Sequence, residues 1–171
     1  MKPLSLTLKN FGPYINETID FTKFEDSSLF LISGKTGSGK TTIFDGMSYA
    51  LFGESSGKLR LGKEMRSTFA DPSEATEVTL LFKHNEYLYE LNRLPEQELF
   101  KKRGTGVRKQ SAKISLIVKD AQGKELRAYS KRREVDELIQ ELLHLNANQF
   151  AQIVLLPQGE FRTFLIAKSD E

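Results

Sequence analysis

The residues most able to do chemistry stand in one short run, Gly34-Lys35-Thr36-Gly37-Ser38-Gly39-Lys40-Thr41, which matches the spacing G-x-x-x-x-G-K-[ST] of a phosphate-binding loop. Each residue type has a task in holding a polyphosphate. The glycines reach backbone conformations that other residues avoid, so successive N–H groups can point into one concave anion site. A helix starting here adds its unpaired N–H groups and the positive end of its dipole. Lys40 can reach β- and γ-phosphates as a point charge, and the Thr41 hydroxyl can ligate Mg²⁺. A glycine-rich turn that only caps a helix is the competing reading. The run sits between an apolar stretch, Leu29 to Ile32, and a helical pattern, the context the motif requires, and that favours a nucleotide site.

Two weaker features follow. In VLLPQGEFRTFL, residues 154 to 165, Gln158 comes just after an expected buried strand, between Pro157 and Gly159. A neutral amide held there can reach a metal or an attacking water; a plain strand-to-helix turn is the alternative. From 99 to 113 the chain carries Lys101, Lys102, Arg103, Arg108, Lys109 and Lys113 with no acid among them. Such a cluster can neutralise nucleic-acid phosphates by releasing counterions, or it can be a solvated face. No side chain in it is marked for reading bases, so binding there would be independent of sequence. The two histidines, His84 and His144, have no motif around them, and the absence of cysteine excludes disulfides, thiol nucleophiles and thiolate zinc sites.

The elements that must position these residues can be read from periodicity. Leu4, Leu6 and Leu8 alternate in a first strand, NFGPY turns, and ETIDF returns antiparallel. Leu29 to Ile32 read as a buried strand leading into the glycine run. Ile43, Phe44, Met47, Ala50 and Leu51 recur at helical spacing up to Gly53, with Gly46 inside marking a close approach or nothing. Residues 54 to 76 read as a long loop. Glu77–Phe82 and Tyr87–Leu91 form a hairpin, KKRGTGVRKQ a basic loop, and Ile114–Val118 and Lys124–Ala128 flank the turn DAQG. Ser130 is the expected N-cap of a helix striped by Val135, Leu138, Ile139, Leu142 and Leu143. Asn146 to Gln149 break the pattern, and Ile153 to Leu156 are expected to form a last buried strand. The 171 residues, 39% apolar and 28% charged with a net charge of +2, suit one soluble domain with a real core. No apolar run approaches the roughly 18 residues of a membrane span, so a soluble intracellular domain is expected.

Taken together, LTLKNFGPY, ISGKTGSGKTTIFDGMSYALFG, RSTFADPSEATEVTLLF and FAQIVLLPQGEFRTFL resemble the SbcC family, SMC-like, ABC-type ATPase subunits of bacterial double-strand-break repair nucleases, in its N-terminal half-head. The resemblance implies an α/β fold, a P-loop NTPase lobe of ABC/SMC head type with an antiparallel β subdomain and flanking helices. It implies that residues 1–171 are one half-domain, running from P-loop to Q-loop and ending near the start of a coiled coil. ATP would lie on Gly34, Lys35, Thr36, Gly37, Ser38, Gly39, Lys40, Thr41 and Thr42, with Thr42 at the α-phosphate. Mg²⁺ would be held by Thr41 and by Gln158, the Q-loop residue and the chain's only catalytic candidate. Implied partners are the C-terminal lobe of the same protein, a second head in an ATP-dependent dimer, a nuclease subunit of SbcD type and double-stranded DNA, on Lys101, Lys102, Arg103, Arg108 and Lys109, in the cytoplasm at the nucleoid and away from membranes. Many relatives carry a phosphate-contacting arginine where this chain has Gly12-Pro13; Arg60 or Arg66 could replace it, or be solvated loop residues. No apolar run ending in Asp-Glu and no Ser-Gly-Gly signature occurs, so the half-head alone is expected to lack ATP turnover. The alternative is a self-contained P-loop enzyme, such as a small-molecule kinase or nucleotide-dependent regulator.

Overall fold

Alternating side chains set up the sheet on which everything else rests. The computed structural model describes residues 1–24, 32–55 and 62–154. Strands β1 (Lys2–Phe11), β2 (Tyr14–Asp20), β3 (Glu77–His84), β4 (Tyr87–Leu94), β7 (Lys113–Lys119) and β8 (Glu125–Tyr129) form a sheet ordered β2-β1-β3-β4-β7-β8. The strands β5 (Gln97–Phe100) and β6 (Val107–Gln110) form a separate two-stranded hairpin. Every strand pair among the described residues is antiparallel. The register lines up Ile19, Leu6, Leu80, Leu91, Leu116 and Tyr129 as one row across all six strands. Its four leucines are fully buried, and each such side chain contributes about 1.5–3 kcal/mol by leaving water.

Helix α1 (Lys40–Phe52) covers that row, joined by α2 (Arg132–Leu143) and α3 (Ala147–Val154). Of the two readings left open at Gly46, the close approach holds: a Cβ there would lie 2.6 Å from Leu8 Cδ2. Gly53 ends α1 in the left-handed conformation, its N–H donating to the Tyr49 carbonyl at 2.8 Å. Arg93 secures the same helix end. Its Nε donates to the Ala50 carbonyl at 2.9 Å and its guanidinium to the Leu51 carbonyl at 3.2 Å and the Asp136 carboxylate at 2.9 Å. One buried side chain on β4 thus ties α1 to α2, satisfying carbonyls that a helix end leaves without partners. Next to it, burial pushes the Tyr49 phenol up to about 12, the opposing fields of Arg93 and Arg132 being smaller.

Several sequence expectations are corrected. Helix α2 is capped by Lys131 rather than Ser130 and without a side-chain cap bond; Val135 and Ile139 of its stripe are buried, while Leu138, Leu142 and Leu143 pack partly buried. Asn146 to Gln149 open a helix. Asn146 Oδ1 accepts from the Gln149 N–H at 2.9 Å and Gln149 Oε1 from the Asn146 N–H at 3.0 Å, a reciprocal cap. Ile153 and Val154 therefore lie in helix α3, not in a strand; Phe150 is buried against Phe52, ring centroids 5.5 Å apart. The basic loop contains the β5–β6 pairing. Residues 54 to 76 include a 3-10 turn at Gly62–Met65, and the Ser67 N–H donates to the Asn10 carbonyl at 2.8 Å. The expected strand at Leu29–Ile32 lies outside the described residues except for Ile32, which is irregular and packs against the core. No helix among the described residues is long and apolar enough to cross a membrane.

The Arg93 tie has a measurable consequence. Arg93→Met should cost about 2–4 kcal/mol in urea unfolding, since each buried carbonyl left without a donor costs about 1–3 kcal/mol. Asp136→Ala alone should cost under about 1 kcal/mol, because that carboxylate is substantially exposed and solvent-screened.

Candidate functional site

The glycine run leads straight into α1. Ile32 to Lys35 carry no regular structure, Ser38 N–H donates to the Lys35 carbonyl at 3.2 Å to make a turn, and the helix begins at Lys40. Gly37 and Gly39 have φ of +83° and +88°, values that a side chain at either position would strain. The Gly39 carbonyl accepts the first helical N–H groups, from Thr42 at 2.9 Å and Ile43 at 3.3 Å. As the first residues of a helix, Lys40 and Thr41 have N–H groups without intrahelical acceptors. These donors, the helix dipole and the exposed loop from Gly34 to Ser38 make an anion-directed cradle.

Lys40 folds back over the loop. Its ammonium donates to the carbonyls of Gly34 at 2.7 Å and Lys35 at 2.8 Å, so the charge is held against the run it follows. Two of its three protons are engaged in this way, and a lysine carries one more. Thr41 is exposed in the first turn and Thr42 beside it is half-buried. The chemistry open to this group is binding of a polyphosphate, with the Thr41 hydroxyl suited to a hard cation bridging phosphate oxygens. No cluster of three His, Asp or Glu residues that could hold a metal occurs among the described residues. His84 keeps a buried, unpartnered Nδ1 at the end of β3, and His144 is the exposed left-handed cap of α2. Gln158 and Arg60 lie outside the described residues.

Sequence reasoning missed what holds the cradle from the side. The β1–β2 turn, Gly12-Pro13-Tyr14, packs directly on it. A Cβ on Gly39 would come within 2.7 Å of Pro13 Cγ and 2.8 Å of the Tyr14 oxygen, and one on Gly12 within 2.5 Å of Thr42 Cγ2. Tyr14 donates its hydroxyl to the Gly39 carbonyl at 3.2 Å, and burial, more than the nearby Glu17, raises its pKa. The signal was present: a Gly-Pro-Tyr turn ends the strand that packs under α1. At this turn Gly12, Pro13 and Tyr14 meet the helix start by shape and by one hydrogen bond.

Arg66 is engaged elsewhere. Its guanidinium donates to the carbonyls of Asp71 at 2.7 Å and Glu74 at 2.6 Å, and to Thr76 Oγ1 at 3.2 Å, and burial lowers its pKa against the raising fields of Asp71 and Glu74. It organises the loop from Ser67 to Thr76. Lys101, Lys102, Arg103, Arg108 and Lys109 come together on the β5–β6 hairpin, all exposed. Lys109 pairs with Glu96 at 3.1 Å, so the positive charge gathers at the tip. A cavity of about 500 Å³ lies at the opposite end of α1 among Leu51, Phe52, Arg132, Asp136 and Asn146. Arg132 there is already paired with Asp136 at 3.2 Å, which leaves little to attract a phosphate.

The lateral contact predicts a graded series in nucleotide titrations. Gly39→Ala should remove measurable ATP affinity, because both its φ and the Pro13–Tyr14 contact exclude a methyl. Tyr14→Phe, which deletes a single hydrogen bond of about 0.5–1.5 kcal/mol, should weaken binding by about 2- to 10-fold.

A family model described as an AAA domain matches residues 5–171. The chain is 48% identical over 169 residues to the SbcC component of the nuclease SbcCD of Lactococcus lactis, with 96% of this chain and 16% of that protein covered. It is 45% identical over 172 residues to the SbcC component of the same nuclease in Vibrio cholerae, covering 100% and 17%. In Staphylococcus aureus the figures are 47% over 171 residues, 100% and 16%. The chain thus spans about a sixth of the length of these relatives. A solved chain described as "Structural biochemistry of ATP-driven dimerization and DNA stimulated activation of SMC ATPases" superposes with a TM-score of 0.49 at 17% identity, covering 99% of this chain and 93% of that one. With the family match spanning all but its first four residues, the chain belongs to the AAA-domain family, and it is 45–48% identical to SbcC components of SbcCD nucleases.

Proposed function

We propose that this chain is the ATP- and Mg²⁺-binding lobe of a split, SMC-like ATPase head that drives DNA end processing by a nuclease complex. The observation that carries the reading is the cradle itself: Gly37 and Gly39 left-handed, Lys40 folded over the loop and α1 starting at once. Its occurrence in a chain 45–48% identical to nuclease subunits supports the assignment to DNA processing. In this reading residues Gly34 to Thr42 wrap the phosphates, Lys40 offsets the β- and γ-phosphate charge, and Thr42 meets the α-phosphate. Thr41 and Gln158 hold Mg²⁺, which supplies charge neutralisation across the phosphate oxygens when bound. Residues 1–171 form one half-domain. It works with a C-terminal lobe, a second head joined through ATP, a nuclease subunit of SbcD type and double-stranded DNA, in the cytoplasm at the nucleoid.

Lys40→Ala tests the cradle. Among the described residues the ammonium bonds only to loop carbonyls, so unfolding free energy should change by less than about 0.5 kcal/mol. Calorimetric ATP affinity should fall by about 10- to 100-fold or more, the worth of a charge-assisted bond to phosphate. Unchanged affinity would remove residues 34 to 41 as the phosphate site.

Turnover tests the split. The 171 residues alone should hydrolyse no ATP above background at saturating Mg²⁺-ATP, because a neutral Gln158 amide is a poor general base. Adding a C-terminal lobe should restore hydrolysis, and Gln158→Ala in that mixture should lower turnover more than affinity. Robust hydrolysis by the chain alone, abolished by Lys40→Ala, would favour a self-contained enzyme.

A further inference from the structure

The β5–β6 hairpin keeps two apolar side chains in water. Leu99 and Gln97 of β5 turn inward and are buried, so Glu98 and Phe100 face outward by the period of the strand. Phe100 stands opposite Val107 in the register, the two 53% and 49% exposed. A third apolar group, Phe69, is 76% exposed on the neighbouring loop. That loop is fixed to the hairpin by the Phe100 N–H, which donates to the Pro72 carbonyl at 2.9 Å, and is braced from within by Arg66. Lys101, Lys102 and Arg103 follow Phe100 directly and are exposed. Lys102 lies near enough to Asp71 to help hold its carboxyl below the usual range, after the larger effect of hydrogen bonds from Ser73.

We propose that Phe100, with Lys101, Lys102 and Arg103 beside it, forms a stacking platform for unpaired nucleobases, so that this lobe grips single-stranded nucleic acid. The inference rests on the DNA-processing reading above and adds a substrate form to it. Exposed rings next to a basic track are what a single strand needs, because any base offers a π-face while its phosphates meet the lysines. A closed duplex hides its bases and can use only the charges. An acidic peptide likewise needs the charges and has no use for a flat ring. With Lys109 paired to Glu96, Lys101, Lys102 and Arg103 beside the ring and Arg108 on β6 are the remaining exposed cations of the hairpin.

The chain contains no tryptophan, so Phe100→Trp introduces a single indole reporter. Oligo-dT of about 16 nucleotides, within the span of known single-strand sites, a duplex of equal length and poly-glutamate would each be titrated against it, with Phe100→Ala measured in parallel by anisotropy. Thermal melts of both variants should match the parent, since the ring is half in water. Oligo-dT should quench the indole, and Phe100→Ala should weaken oligo-dT binding by about 5- to 100-fold, the loss of one base stack. Duplex affinity should move less than about twofold with its salt slope unchanged, since phosphate contacts alone set that slope. Equal oligo-dT affinity for parent and Phe100→Ala, with duplex binding intact, would overturn the platform and leave the DNA reading standing. Failure to bind either polymer would overturn both. Quenching by poly-glutamate without quenching by oligo-dT would assign the face to an acidic protein and overturn the platform.

Discussion

Helix α1 has to be held at both ends, and the rest of the structure depends on that constraint. Its N-terminus supplies the donors of the proposed phosphate cradle, so its direction and depth decide where those donors point. Gly46 lets the helix settle onto Leu8 with no side chain between. Arg93 fixes the far end through the Ala50 and Leu51 carbonyls, and the Gly12-Pro13-Tyr14 turn closes on the near end at Gly39 and Thr42. The fully buried row of leucines lies beneath the helix; these three contacts provide the placement.

The consequence is a loop shaped before any ligand arrives. A flexible glycine run would lose conformational entropy of about 1–2 kcal/mol per ordered residue on binding. Here Gly39 is boxed by Pro13 and Tyr14, and Lys40 is already drawn over the loop by the Gly34 and Lys35 carbonyls. Exchanging two carbonyl acceptors for phosphate oxygens leaves the side chain where it was. The β5–β6 hairpin is anchored through Gln97, which accepts from the Thr76 N–H at 2.8 Å and donates to the Thr76 carbonyl at 3.2 Å. The glycine run and the basic hairpin are separate elements of the chain, the one opening α1 and the other carried on β5 and β6.

The sheet was readable because its strands alternate cleanly and their turns, at Asn85-Glu86 and Ala121-Gln122-Gly123, carry turn residues. Helix α1 and its end at Gly53 were readable from spacing, and the left-handed turn that opens it from the glycines of the run. The third helix was not, since asparagine both breaks helices and caps them, and only the reciprocal bonds of Asn146 and Gln149 show which it does. Arg93 left a trace that charge obscured: period two places it on the inward face with Tyr89 and Leu91, where an arginine must find buried acceptors. Gln97 left the same trace beside Leu99. The strands β5 and β6 were hidden because the run of lysines and arginines reads as a loop. Contacts between distant segments, such as Pro13 on Gly39, leave no periodic mark, which is why the support of the cradle appears only in three dimensions.

The central claim is that the run ending in Lys40 and Thr41 holds nucleotide phosphates through its backbone N–H groups. Amide nitrogen–proton spectra of the chain, recorded while Mg²⁺-ATP is added, test it most directly. The account predicts saturable shifts largest at Gly37, Gly39, Lys40 and Thr41, smaller ones at Tyr14 and Thr42, and none of note on the β5–β6 hairpin. Saturable shifts confined to the cavity at the C-terminal end of α1, around Phe52 and Asn146, with the glycine run unmoved, would contradict it.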